Sequence, residues 1–177
     1  LNENASSNNE WKGENFQKGD MNTTLIHTSK GKTIMLQHDV TSPRPYSRLF
    51  TVSGTDGFIQ KYPIKSMCFS PNSHRSLNSN DINDTIIKYQ PSVIKNIKQK
   101  AKEIGGHGGM DYIMDYRLIY CLRNGLPLDM DVYDAAEWSA IVEISKKSVD
   151  KGSMPMKIPD FTRGNWNILN KVNYFIK

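Results

Sequence analysis

At 177 residues, with 37% hydrophobic and 10% aromatic content, the chain is long enough for one domain with a real core and too apolar to be disordered throughout. The formal charge of +5 is mild; its clearest local source, Lys95, Lys98, Lys100 and Lys102, is spread among Ile94, Ile97 and Ile104 without interleaved aromatics, which reads as a solvated helix face and argues against a nucleic-acid partner. No apolar run approaches a membrane span, no signal-peptide pattern is present, and Cys68 and Cys121 form no CxxC pair, which removes zinc and redox motifs and leaves the compartment open.

Residues 1–18 are polar apart from Trp11 and Phe16 and are expected to be a weakly structured lead-in. Leu1 and the Asn/Ser/Glu-rich opening through Asn9 are what a segment cut from a longer protein would show. Residues 19–177 read as the folded domain. Residues 23–28 and 33–40 are β-rich runs joined by Ser29-Lys-Gly-Lys32, a strong hairpin signal. Thr41-Ser-Pro-Arg-Pro45 breaks pairing, because proline removes a ladder donor. A third strand is predicted over 48–52, a tight turn over 53–57, and another hairpin arm over 58–62. Residues 71–83, rich in Asn, Ser and Pro, read as an exposed loop.

Helices are predicted for 92–103, stopped by Gly105-Gly106; for 110–123, stopped by Asn124-Gly125; and for 134–147. Strands followed by helices argue for an α+β fold: a mostly antiparallel open sheet with helices packed on one face. There are no internal repeats.

Four histidines are present: His27, His38, His74 and His107. None forms HxH or HExxH, and no carboxylate cluster has metal-site spacing, so no metal is expected. His27 and His38 lie on predicted strands and read as surface or sheet-packing residues. Gly105-Gly-His-Gly-Gly109 is glycine-dense but follows a helix and is not GxGxxG. It is a flexible connector or a ligand-facing loop, and the imidazole within it, able to donate or accept near neutral pH, favours a ligand.

Asp111 and Asp115 share a helix face by i,i+4 spacing. Asp111 near a helix start is also what dipole and capping preferences place there, so a two-carboxylate glycosidase site is not indicated. In Thr41-Ser-Pro-Arg44-Pro-Tyr46-Ser-Arg48, two guanidiniums and a phenol follow a strand end stiffened by prolines. That composition suits an oxygen-rich ligand, or else surface ion pairs. Cys121, inside an apolar helical run, reads as a small core residue.

Taken together, Gly19-Asp-Met-Asn-Thr-Thr24, Gln37-His-Asp-Val-Thr-Ser-Pro-Arg-Pro-Tyr-Ser-Arg48, Ser53-Gly-Thr-Asp-Gly57, Gln60-Lys-Tyr-Pro63, Gly105-Gly-His-Gly-Gly-Met-Asp111, the run from Leu122 to Asp134, and Pro159-Asp-Phe-Thr-Arg-Gly164 resemble the C-terminal half of glycoside hydrolase family 109. The resemblance implies a bacterial α-N-acetylgalactosaminidase of the glucose–fructose oxidoreductase and inositol dehydrogenase superfamily. It implies an N-terminal Rossmann domain holding NAD, with the present chain as the substrate-binding and oligomerisation domain, self-associating through its sheet. The partner implied is an N-acetylgalactosamine-containing glycan, and the location the periplasm or cell envelope. The implied mechanism oxidises the sugar C3 hydroxyl with NAD, eliminates the leaving group after loss of the C2 proton, adds water and reduces the ketone again. Because the dinucleotide fingerprint is absent here, the chain alone is expected to be inactive.

Carried over by the resemblance, Arg44, Tyr46, Arg48, Tyr62, Asp111 and Tyr133 would contact substrate. Tyr62 would also contact the cofactor, and His107 would be the catalytic acid/base. The family places a histidine soon after a substrate tyrosine. Neither Tyr46 nor Tyr62 is followed by one, and Lys65 is the substitute offered by this sequence. Two alternatives stay open: an NAD(P)-dependent sugar oxidoreductase domain, and a module serving mainly for oligomerisation.

Overall fold

The computed structural model describes residues 19–39, 41–71 and 74–168; the expected lead-in, 1–18, lies outside them. The fold is α+β, with two antiparallel sheets and four α-helices among the described residues. The described residues divide into two compact units, one within Leu1–Arg44 and Ser139–Ile158, the other within Pro45–Trp138 and Pro159–Lys177.

The first unit contains a hairpin of β1 (Met21–His27) and β2 (Thr33–Asp39), with Leu25 opposite Met35. Its turn is closed by Thr28 N–H donating to the Lys32 carbonyl at 2.8 Å and by Gly31 at φ +73°, a conformation glycine adopts without a Cβ penalty. Exposed and half-buried residues alternate along β1, as a strand with one solvated face requires. On the inner face the Thr24 hydroxyl bonds the Ser145 hydroxyl at 3.0 Å, tying β1 to the last turns of α4 (Val132–Asp150). That helix also carries the i,i+4 ion pairs Lys146–Asp150 and Lys147–Glu143.

In the second unit β3 (Thr51–Ser53), β4 (Gly57–Gln60) and β5 (Ser66–Phe69) form an antiparallel meander. A Cβ on Gly57 would stand 2.6 Å from the Phe69 ring, so a side chain there would push the β4–β5 pair apart. The predicted third strand is trimmed because Leu49 sits at φ +45° and takes the chain out of the extended region.

Strand β5 and helix α1 (Ser79–Lys88) were not legible as such. The segment read as an exposed loop turns helical at Ser79. Asn78 caps it, its side-chain oxygen accepting from Asp81 N–H at 2.9 Å while its amide donates to the Asp81 carboxylate at 2.8 Å. The helix buries Ile82, and Ile82 and Ile86 recur at helical i,i+4 spacing, a signal outweighed in the sequence reading by the Asn- and Ser-rich residues before them.

Helix α2 (Ser92–Ile104) exposes the lysines, as predicted, and buries Ile97; Ala101 is buried as well, while Ile104 at the helix end is exposed. A single 3-10 turn at His107–Gly109 leads into α3 (Met110–Asn124), which ends on Gly125 in the left-handed region. Three tyrosines, Tyr112, Tyr116 and Tyr120, stack along α3 at centroid separations of 6.3 and 6.2 Å. Arg117, buried, makes a two-point ion pair with Asp129 at 3.1 and 2.7 Å and fixes the segment between α3 and α4. Asp131 and Asp134 then cap α4 reciprocally.

The apolar side chains buried among the described residues, Met67, Ile82, Ile97, Ala101 and Cys121, all belong to this second unit. Both cysteines are free, with Cys121 buried as expected.

The α2–α3 corner depends on Gly109, whose missing Cβ would lie 2.7 Å from the Ala101 backbone at φ +95°; Gly108, at φ +72°, has open space around it. In urea unfolding, Gly109→Ala should therefore cost more than about 3 kcal/mol, because a backbone clash adds to left-handed strain. Gly108→Ala should cost only about 1–2 kcal/mol. Equal losses would show that the close approach is not maintained in solution.

Candidate functional site

Six of the residues singled out by sequence, Arg44, Tyr46, Arg48, Tyr62, His107 and Asp111, fall into three clusters, and Lys65 and Tyr133 stand outside them. In the first, within the second unit, the irregular stretch before β3 brings Tyr46 and Arg48 beside Tyr62, which follows β4. Arg48 Nε donates to the Tyr46 hydroxyl at 2.6 Å, and the rings of Tyr46 and Tyr62 meet edge to face at 5.9 Å between centroids. The Lys61 ammonium lies 5.3 Å from the Tyr62 ring centre. The phenol oxygens hold the Arg48 guanidinium above its ordinary value, first through the Tyr46 hydrogen bond and then through the fields of Tyr46 and Tyr62.

Since Tyr46 accepts from Arg48, its own O–H remains to donate outward, next to the other guanidinium donors. Tyr46 is 69% exposed, so an aromatic face and several donors are presented together to solvent. Such a surface suits a ligand with an apolar C–H face rimmed by hydroxyl and carbonyl oxygens.

The second cluster is the glycine loop. His107 Nδ1 lies 3.1 and 2.9 Å from the two Asp111 oxygens, and the imidazole is largely exposed. His107 itself stands at φ +47°, with Gly105, Gly106, Gly108 and Gly109 all positive around it. The third cluster belongs to the first unit. There Arg44 is paired with Asp39 and also donates to the Gln37 side chain at 3.4 Å. Asp39 accepts from Ser42 N–H at 3.1 Å, an Asx turn that starts the loop.

Lys65 is exposed, and no hydrogen bond or ion pair to it occurs among the described residues. Tyr133, in the first turn of α4, is exposed, with its backbone N–H bonded to Asp131 at 2.8 Å. Asp39 escaped the sequence reading, although Asp-Val-Thr-Ser before a proline was an available turn signal. A shallow depression at the β3–β4 turn, lined by Val52, Thr55, Asp56, Ile59 and Phe69, contains none of the sequence-selected residues.

Residues 1–168 match the family model described as "Glycosyl hydrolase 109, C-terminal domain". The chain belongs to glycosyl hydrolase family 109. It is 51% identical over 168 residues to a family 109 protein of Bacteroides thetaiotaomicron, covering 87% of this chain and 36% of the relative. It is 52% identical over 166 residues to a family 109 protein of Porphyromonas gingivalis, covering 86% and 36%. A Bacteroides fragilis protein named alpha-N-acetylgalactosaminidase is 53% identical over 153 residues, again covering 86% and 36%. The family 109 domain thus spans about a third of the length of these relatives.

The glycine loop of the family 109 domain does not fit a dinucleotide diphosphate. It connects two helices, and the Asp111 carboxylate occupies the space a Cβ on Gly106 would enter, so an incoming phosphate would meet a like charge. No helix among the described residues is long and apolar enough to cross a membrane.

The Asp39 turn carries a pH dependence of definite sign. The Ser42 N–H bond, reinforced by Arg44 and Thr41, holds the Asp39 carboxyl below its ordinary value against an opposing contribution from burial. Its stabilisation is therefore present above the ordinary carboxylate value and is lost as pH falls through the lowered folded value. A carboxyl-carbon NMR titration should give Asp39 a midpoint below that of free aspartate. A midpoint at or above it would remove the turn from the account.

Proposed function

We propose that this chain is the sugar-recognising C-terminal domain of an NAD-dependent α-N-acetylgalactosaminidase, inactive without the remainder of the protein. The observation that carries the reading is the Tyr46–Arg48–Tyr62 cluster in a family 109 domain, together with its similarity to a protein named alpha-N-acetylgalactosaminidase. On this reading Tyr46 and Tyr62 lie against the C–H face of the sugar. The Tyr46 O–H and the free Arg48 N–H groups donate to a ring hydroxyl or to the acetamido carbonyl. His107 is the acid/base, with Lys65 as a second candidate, and Tyr133 completes the proposed substrate contacts.

NAD enters this proposal through the family resemblance. It would supply reversible oxidation of the sugar, held by a Rossmann domain outside this chain, with Tyr62 as the contact from this side. The proposed setting is the bacterial periplasm or cell envelope.

The test is release of 4-nitrophenol from 4-nitrophenyl α-N-acetylgalactosaminide by the longer protein supplied with NAD. Cleavage is expected. Oxidation of free sugar without cleavage would favour the oxidoreductase alternative. In the active protein, Tyr46→Phe and Arg48→Ala should each lower kcat/KM about 10- to 100-fold, the loss of one or two hydrogen bonds to ligand.

A sheet-mediated assembly has its own support. Leu25 and Met35 face each other across β1 and β2 and are 72% and 67% exposed, with Met21 also exposed. Burying this pair against a second copy would remove apolar surface from water. Sedimentation of Leu25→Glu/Met35→Glu should show a shift to smaller species. An unchanged distribution would exclude this face from any interface.

A further inference from the structure

We propose that Asp111 is the positioning residue of His107. It fixes the imidazole as the Nδ1–H tautomer and leaves Nε2 as an open acceptor for the O–H group of a polyol or sugar. A carboxylate has no proton to give, so a neutral ring placed with Nδ1 at 2.9 and 3.1 Å from its two oxygens must carry its hydrogen on Nδ1. The second nitrogen is then a lone-pair acceptor, on a side chain that is 76% exposed.

Three features build this arrangement. The left-handed backbone at His107, Gly108 and Gly109 turns the imidazole back over the first turn of α3, where Asp111 lies. A Cβ on Gly106 would lie 2.9 Å from the Asp111 oxygen, so glycine at this position makes room for the carboxylate. His107 is held at φ +47°, a conformation that non-glycine residues adopt at a cost, and the turn holding it is closed by Gly109 N–H donating to the Gly106 carbonyl at 2.8 Å.

An aspartate serving only the helix dipole would not need to reach back to the imidazole. Here it does, and the glycine beside it is shaped for the contact. The consequence for turnover rests on the glycosidase reading above, in which His107 is the acid/base; the tautomer does not.

Long-range proton–nitrogen NMR of the histidine rings in this chain, at alkaline pH where imidazole is neutral, reads the tautomer directly. Wild-type His107 is expected to show a protonated Nδ1 and an unprotonated Nε2. Asp111→Ala should return the ring to the Nε2–H form that free histidine prefers. A wild-type ring already in the Nε2–H form overturns the proposal, as does an Asp111→Ala ring that keeps Nδ1–H. If Asp111→Ala does not fold, the wild-type spectrum alone decides.

In the longer enzyme, Asp111→Ala should lower kcat about 10- to 100-fold with little change in KM, and it should add nothing to His107→Ala. Additive losses would overturn the positioning role. A longer protein that cleaves no galactosaminide would overturn the proposed function while leaving the tautomer result to stand.

Discussion

The approach of Gly109 to the Ala101 backbone is the contact on which the helical part of this domain depends. It lets the start of α3 lie directly against α2 with no side chain between them, and Ala101 is itself among the most buried residues. The cost is a run of positive φ from Gly105 through Gly109 that only a glycine-dense sequence can follow. The glycines are therefore first a packing device. His107 is the one side chain carried through the turn, and its exposure follows from the route the backbone must take.

From the same corner, α3 carries Arg117 inward to Asp129, and the residues after Asp129 cap α4. Burying a guanidinium is costly unless a carboxylate meets it at two points, as happens here. Asp129 and Asp131, which a search for paired carboxylates would gather as catalytic candidates, are thus occupied with an ion pair and a helix cap. That division of labour accounts for the lack of a conventional two-carboxylate glycosidase geometry among them.

The sequence was most legible where short-range chemistry acted alone. Gly31 marked the hairpin turn, Asn124-Gly125 the end of α3, and the isoleucine spacing of α2 its buried face. It was least legible where an element is short or opens on turn-forming residues. Helix α1 starts within an Asn/Ser-rich stretch that reads as a loop although Ile82 and Ile86 keep helical spacing, while β5 is four residues long. For the candidate site, Tyr46, Arg48 and Tyr62 could be named individually, but their association requires the chain to fold back between β3 and β4. The His107–Asp111 contact was not available from spacing, because it depends on left-handed backbone at His107, Gly108 and Gly109, and the carboxylate already had a sufficient reading as a helix-start residue.

The distribution of buried side chains bears on how the first unit holds its shape. Its hairpin places Leu25, Ile34, Met35 and Leu36 in contact with water, and none of the buried apolar residues among those described belongs to it. Strand pairing of two β segments by itself is marginal in water. Besides its tie to α4 through Thr24 and Ser145, the free energy of this hairpin would be linked to any surface that covered it. Under the assembly proposed above, its melting would follow protein concentration by mass action rather than being a fixed property of these residues.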